Sequence, residues 1–340
     1  MKEFIQKIIE GKNLTARESE KAMDRIMSGE ATPSQIGSFL TGLRMKGESP
    51  TEISSLAKVM RKFAQKIKPN VDGLLVDVCG TGGDKIKTFN ISTTSMFIVS
   101  AAGIPIAKHG NRAITSQCGS ADVLEELGIE LNLEFEKIKK AIEKVGIGFM
   151  FAPAHHLAMK YVMPTRRELG IRTVFNILGP LTNPANAQAQ LMGVFDPNLT
   201  EKLAKVFKLL GLKQAMVVYG EPGLDEISNL GKTKISELRR EKIKTYYIEP
   251  ENFGLKRARV KDLAGGDKKG NAKILLDILL GREKGPRRDI VLLNAAAGIV
   301  VGNNAETLPA GIEIAKNVLE SGKAYQKFEE FRDFCQKNDF

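Results

Sequence analysis

Apolar residues recur every three or four positions through the first seventy residues of the chain. Ile36, Phe39, Leu40 and Leu43 form one stripe, and Ile53, Leu56, Ala57 and Met60 form another. That period puts one apolar face on each of two helices. Three helix starts are written into the same stretch. Thr15 with Glu18, Thr32 with Gln35 and Ser49 with Glu52 each match the capping-box pattern. In the second and third, Pro33 and Pro50 occupy the first helical position. Residues 1–70 are therefore expected to form a helical domain whose helices pack on one another. Any surplus apolar face suits a subunit interface.

The pattern changes after Pro69. Short β runs are expected at Leu74–Val78, Ile104–Ala107, Ile147–Phe151, Ala215–Tyr219 and Ile290–Leu293. Helical patterns lie between them at Ala121–Leu127, Phe135–Val145, Leu203–Leu210 and Ile312–Leu319. Strands alternating with helices predict an α/β domain, residues 71–340, with a largely parallel central sheet. The stretch from Leu230 to Val260 is less regular and has room for a β excursion. Sheets of this kind bind ligands at the carboxyl ends of their strands, so the loops after each strand carry the functional information.

Composition narrows the choice. The 340 residues, 42% of them hydrophobic, are ample for a large domain with an addition. No run approaches the roughly eighteen apolar residues of a membrane span, and the N-terminus lacks a signal-peptide core. Three scattered cysteines suit neither a disulfide framework nor a zinc site, so a cytoplasmic location is expected. The net charge is +11, but the basic residues are interspersed with glutamates, there is no basic tail, and only five tyrosines are available to stack on bases. A solvated surface explains this charge better than a nucleic-acid partner does.

Four strand-end patches carry candidate chemistry. Cys79-Gly80-Thr81-Gly82-Gly83-Asp84 follows the first β run. Lys85 stands where a dinucleotide fingerprint needs glycine, and the later Gly231-Lys232-Thr233 has Glu226 where a phosphate-loop motif needs one. Three glycines beside an aspartate exceed what a tight turn requires and suit a phosphate. Thr88-Phe89-Asn90-Ile91-Ser92-Thr93-Thr94 opens an apolar helix, either as a plain N-cap or as an anion site. Lys108-His109-Gly110-Asn111-Arg112 ends the second β run; a surface loop can look like this by chance, but an ordinary core could not tolerate it. Gly220-Glu221-Pro222-Gly223-Leu224-Asp225-Glu226 brings two carboxylates to another strand end. On the residues alone these are either a solvated turn or a Mg²⁺ site. The reading from residues is an α/β enzyme for a phosphorylated, Mg²⁺-bound substrate, with the acceptor unnamed.

These patches, in this order, resemble the anthranilate phosphoribosyltransferase family over nearly the whole chain, with a diffuse stretch from about Leu230 to Lys284. The glycine loop and KHGNR (from Lys108) also occur in the related pyrimidine nucleoside phosphorylases. CGSADVLEELG (from Cys118) also matches the family, and NILGPLTNP within the segment from Gly170 and the following QLMGV tell more for the transferase. The resemblance implies a small helical domain, completed by a helical segment at about 165–185, joined to a large α/β domain. It implies a homodimer formed through the helical domain. It also implies transfer of the phosphoribosyl group of phosphoribosyl diphosphate (PRPP) to the amine of anthranilate, in tryptophan biosynthesis, with two magnesium ions.

The implied PRPP residues are Gly80, Gly82, Gly83, Asp84, Thr88, Asn90, Ile91, Ser92, Thr93, Lys108 and Ser120. The implied anthranilate residues are Gly80, His109, Asn111, His156, Arg166, Gly179 and Pro180. Ser92, Asp225 and Glu226 are the implied metal ligands. Leu157 departs from the proline usual in the family, Gln117-Cys118 replaces a more usual basic residue and serine, and Lys85-Ile86-Lys87 is more basic than usual. None of these removes a group the reaction requires. The aromatic amine is neutral and attacks without prior deprotonation, so no indispensable general base is expected. Lys108, His109 and Arg166 then act by charge and position. The rival readings are a nucleoside phosphorylase of the same superfamily and a non-catalytic relative that binds nucleic acid.

Overall fold

The protein is described by a computed structural model over residues 1–82, 86–113 and 117–337. Helices α1 (Lys2–Ile9), α2 (Ala16–Met27), α3 (Pro33–Lys46) and α4 (Pro50–Phe63) open the chain. All three expected capping boxes form. The Thr15, Thr32 and Ser49 hydroxyls accept from the amides of Glu18, Gln35 and Glu52 at 3.3, 3.3 and 3.2 Å. The partner side chains accept from the cap amides at 2.8, 3.2 and 2.8 Å. Glu52 does more than cap. Fully buried, it also takes the Leu14 amide at 2.9 Å and pairs with Lys46 at 2.9 Å, so one carboxylate fixes three chain segments. A buried charge is tolerable only with such a complete set of partners.

The α/β part follows: β1 (Val76–Gly80), α5 (Ile91–Ala101), β2 (Ile106–Gly110), α6 (Ser120–Glu126), α7 (Phe135–Val145) and β3 (Ile147–Phe151). The short helices α8 (Ala152–His155), α9 (Met163–Leu169) and α10 (Phe175–Leu178) come next. Then come β4 (Ala189–Gly193), α11 (Leu199–Leu209), β5 (Gln214–Gly220), β6 (Thr233–Arg239) and β7 (Lys242–Ile248). Helices α12 (Lys268–Leu279), α13 (Pro286–Val301), α14 (Leu308–Glu320) and α15 (Lys323–Gln336) close the described chain. Among the described residues the seven strands form one sheet in the order β3-β2-β1-β4-β5-β6-β7. The first five are parallel, and β6 and β7 add an antiparallel hairpin at one edge.

Alternate strand residues bury opposite faces. Val76, Val78, Leu191 and Met216 pack with α5, α13 and α15 in one core. Met192, Ala215 and Val217 pack with α11 and the N-terminal helices in another, which also takes in Val162, Phe175 and Leu178. The sheet therefore lies between a helical layer from late in the chain and one from its beginning.

Ile290–Leu293, expected as a strand, is instead part of α13. That helix is buried on every side from Ile290 to Val301, so it shows no polar face and its apolar run imitates a buried strand. The irregular stretch after Leu230 holds the expected β excursion, the β6–β7 hairpin. The order of strands reverses at β1, with β2 on one side and β4 on the other. The carboxyl ends of β1 and β4 thus flank the crevice where such sheets take ligands.

Candidate active site

The strand ends converge as the topology requires. A cleft of about 660 Å³ is lined by Gly80, Gly82, Thr88, Asn90, Ile91, Ser92, Thr93, Lys108, His109, Asn111, Ser120, Arg166, Asp225 and Glu226. Gly83 and Asp84 lie outside the described residues. His156, Gly179 and Pro180 stand behind His109 rather than in the wall. The His109 and His156 rings are 5.1 Å apart, and His109 Nδ1 faces the Gly179 carbonyl at 3.2 Å.

The acidic pair leaves β5 and crosses back over the ends of β1 and β4. Asp225 Oδ2 accepts from the Gly82 amide at 2.8 Å, and Glu226 Oε1 accepts from the Ser92 amide in the first turn of α5 at 3.1 Å. The crossing needs two glycines. A Cβ on Gly193 would lie 1.5 Å from the Asp225 carbonyl oxygen, and one on Gly80 would lie 2.2 Å from the Asp225 carboxylate. These carboxylates are hard oxygen donors beside a hydroxyl and free space. Among the described residues no cluster of three metal-ligating side chains exists. One or two carboxylates completed by phosphate oxygens and water is the donor set Mg²⁺ favours, so the residues fit that ion.

Lys108 rises from β2 into the same end of the cleft. It is 2% exposed, and its ammonium donates to the Val78 carbonyl and to Ser92 Oγ, the latter at 3.2 Å. Burial pushes its pKa down, opposed chiefly by the charge of Asp77. Asp77 is fully buried in β1 and accepts from Asn183 Nδ2 at 2.8 Å and from the His109 amide at 3.3 Å. Burial raises its pKa to about 6 against the pull of Lys108. Asn90 acts as a strut. Its Nδ2 donates to the Cys118 carbonyl at 3.2 Å, and its Oδ1 accepts from Asn271 at 3.0 Å. Asn111 and Ser120 are joined by the Ser120 hydroxyl, which donates to the Asn111 carbonyl at 3.2 Å.

The other end of the cleft is built differently. Arg166 is half-buried, with its guanidinium 5.3 Å from the Phe175 ring centre and 3.7 Å from Met163 sulfur. Among the described residues it has no carboxylate partner, and burial lowers its pKa. The Gly179 contact assigns the His109 proton to Nδ1 and leaves a lone pair on Nε2. Burial, then the neighbouring His156 and His155, hold His109 well below its ordinary range. Among the described residues, His109 Nε2 is buried without a hydrogen-bond partner, and so are both ring nitrogens of His156. The Thr182 backbone gives His156 only a weak contact outside ordinary hydrogen-bond geometry. Burial, then His155, pushes His156 down to about 4.

Several groups around the site escape a reading of the sequence. Arg172, stacked 4.3 Å from the Phe195 ring centre, lines the cleft and lies inside the quoted segment from Gly170. Asp77 did leave a signal, a lone charge inside an apolar strand. Gly193 shows only as part of the quoted QLMGV, and Asn271 left no signal.

The described geometry agrees with the comparisons to known proteins. Residues 2–64 match the helical bundle domain of a glycosyl transferase family, and residues 72–325 match its a/b domain. The anthranilate phosphoribosyltransferase of Acetivibrio thermocellus is 53% identical over 98% of this chain and 96% of its own. That of Symbiobacterium thermophilum is 52% identical over 99% and 98%. Among solved structures, the anthranilate phosphoribosyltransferase of Thermus thermophilus superimposes with a TM-score of 0.93 at 41% identity, over 98% of this chain and 99% of that one. The Saccharomyces cerevisiae enzyme in complex with PRPP and Mg superimposes with a TM-score of 0.88 at 29% identity, over 98% and 97%.

Proposed function

Because the chain belongs to the anthranilate phosphoribosyltransferase family, we propose that it transfers the phosphoribosyl group of PRPP to the amine of anthranilate and releases diphosphate. One observation carries this reading: a single cleft joins a polyanion site at one end to a guanidinium with no carboxylate partner among the described residues at the other.

Lys108, Ser92, Thr93 and the positive N-terminal end of α5 receive the diphosphate with fixed positive potential. Asp225 and Glu226 would hold magnesium, two ions in our reading, and the ion would supply charge neutralisation for the diphosphate. Arg166 takes the carboxylate of anthranilate and aims its amine at the ribose carbon. Alignment of two reactants in this way supplies several kcal/mol of barrier lowering. The amine is neutral and attacks directly. His109, held neutral, offers Nε2 as an acceptor for position rather than as an obligatory base.

Asp77 and Asn183 fix the ends of β1 and β2 beneath these groups. The exposed Ile9 on α1 and Met45 on α3, 68% and 83% accessible, support a homodimer formed through the helical domain. No helix among the described residues is long and apolar enough to cross a membrane. A cytoplasmic place in tryptophan biosynthesis fits the reaction.

The test is a fluorescence assay of purified protein with anthranilate, PRPP and Mg²⁺. Loss of anthranilate fluorescence that requires all three is expected. Phosphorolysis of thymidine or uridine without that loss would favour a phosphorylase instead.

A further inference from the structure

We propose that Asn294 is a positioning residue that sets the acidic pair, and through it the affinity for magnesium-bound PRPP. This rests on the reading that Asp225 and Glu226 hold the metal. The two carboxylates occupy a short span between two clamps. Before them, Gly220 and Leu224 exchange both backbone hydrogen bonds, at 2.9 and 2.7 Å. After them, the backbone of Ile227 is gripped by one side chain. Asn294 Oδ1 accepts from the Ile227 amide at 2.9 Å, and its Nδ2 donates to the Ile227 carbonyl at 2.9 Å. The same Nδ2 donates to the Ile290 carbonyl of its own helix at 2.9 Å.

Asn294 is fully buried, and Ile227 is 1% exposed. A primary carboxamide presents one acceptor and one donor at the spacing of a peptide group, so Asn294 pairs with Ile227 as a strand would. No shorter or apolar side chain does both. Its loss would leave a buried N–H and a buried carbonyl without partners.

The helix that carries Asn294 is itself fixed to the other wall of the site. Ser95 Oγ on α5 donates to the Val291 carbonyl on α13 at 3.3 Å. A Cβ on Gly298 would meet Val99 of α5 at 2.6 Å, so the two helices are in close backbone contact. α5 supplies the Ser92 amide to Glu226. The carboxylate and the loop bearing it are therefore indexed to one packed helix pair. Groups that orient metal-binding carboxylates commonly change metal affinity when removed, although they touch no metal.

The experiment compares Asn294→Leu with wild type by calorimetric titration of PRPP with and without Mg²⁺, beside steady-state kinetics. Asn294→Leu is expected to weaken PRPP binding about tenfold or more in Mg²⁺, to raise the Mg²⁺ needed for half-maximal turnover similarly, and to leave the anthranilate KM within about twofold. Excess Mg²⁺ should restore part of the turnover. Ile26→Ala, a core truncation on α2 in the other hydrophobic cluster, controls for lost stability and should not shift Mg²⁺-dependent binding.

Unchanged PRPP affinity in folded Asn294→Leu, or an equal shift in Ile26→Ala, overturns the proposal. If Asn294→Leu does not fold, Asn294→Asp keeps the acceptor half of the grip and should show an intermediate shift. Hydrogen exchange of the wild-type Ile227 amide gives a further reading. Exchange as slow as in the centre of α13 supports the grip, and exchange at a loop rate refutes it. Asp225→Asn separates the two layers of inference. If it leaves the Mg²⁺ dependence untouched, the metal assignment itself is wrong. If it abolishes that dependence while Asn294→Leu does not alter it, only the positioning role fails.

Discussion

The two ends of the cleft are built on opposite principles. At the end assigned to PRPP, most polar groups among the described residues are already engaged, the Thr81 hydroxyl excepted. Asp225 and Glu226 take backbone amides, Lys108 donates to Val78 and Ser92, and Asn90 spans Cys118 and Asn271. At the end assigned to anthranilate, groups are left over. Among the described residues, Arg166 has no acidic partner, and His109 Nε2 and both His156 nitrogens are buried without hydrogen bonds.

The difference follows from the ligands. A polyanion with its metal exerts a field strong enough to reorganise loose groups, so productive geometry demands a frame fixed in advance. A small aromatic acid brings one carboxylate and one amine. It is selected most sharply by polar groups that remain unsatisfied until it arrives, because an analogue lacking the matching group leaves them so.

Changing each end tests this contrast. The largest effect is expected from Asp225→Asn, which should lower kcat/KM about a hundredfold or more and raise the Mg²⁺ requirement. A magnesium titration of initial rates measures it, and an unaltered requirement would dissolve the distinction between the ends. Next, Arg166→Ala should raise the anthranilate KM about tenfold, the worth of one charge-assisted hydrogen bond, with little change for PRPP. Equal effects on both substrates would mean that the ends are not separate.

His109→Ala should cost only a few-fold in kcat/KM. Complete loss of turnover would reveal an essential proton acceptor at the anthranilate end.

The smallest effect is on stability. His156 has a folded pKa of about 4, below its ordinary 6.5, so the unfolded chain binds the proton more readily. Its contribution is complete above the unfolded value and is lost as pH falls towards the folded one. His109 and His155 shift in the same direction. Asp77, raised to about 6 from 3.8, acts oppositely, since stability is lost as pH rises through that interval. With three histidines against one aspartate, the Tm should fall by a few degrees between about pH 7 and pH 5. His156→Gln should lessen the slope. A flat Tm in the wild type would contradict the buried neutral histidines.

The sequence reveals some of these features better than others, for physical reasons. The capping boxes at Thr15, Thr32 and Ser49 are local chemistry within four residues, so they read directly and form as read. Many of the residues that line the cleft sit in or beside glycine-rich or polar strand-end loops, whose composition marks them. β4 passes unnoticed because Ala189–Gly193 contains no β-branched residue and shows no alternation between its buried faces. α13 misleads because it has no solvent face. The supports beneath the site depend on pairs far apart in the chain. Asp77 meets Asn183, and Ile227 meets Asn294, across separations that no local pattern encodes.

One further consequence concerns the order of events during synthesis. The first 64 residues carry their own helix starts but not the whole of their own core. The cluster around Phe39, Leu40 and Leu43 is completed by Leu178, Leu203, Phe207 and Val217, which leave the ribosome much later. Until then the nascent helices present an uncovered apolar face, a vulnerable state for a growing chain. A peptide of residues 1–64 is accordingly expected to show helical circular dichroism without a cooperative melt, and a sharp transition would show that these helices need no later partner. On this view the carboxyl half of the protein closes the amino half as well as adding to it, and the chain becomes stable only when its two layers meet across the sheet.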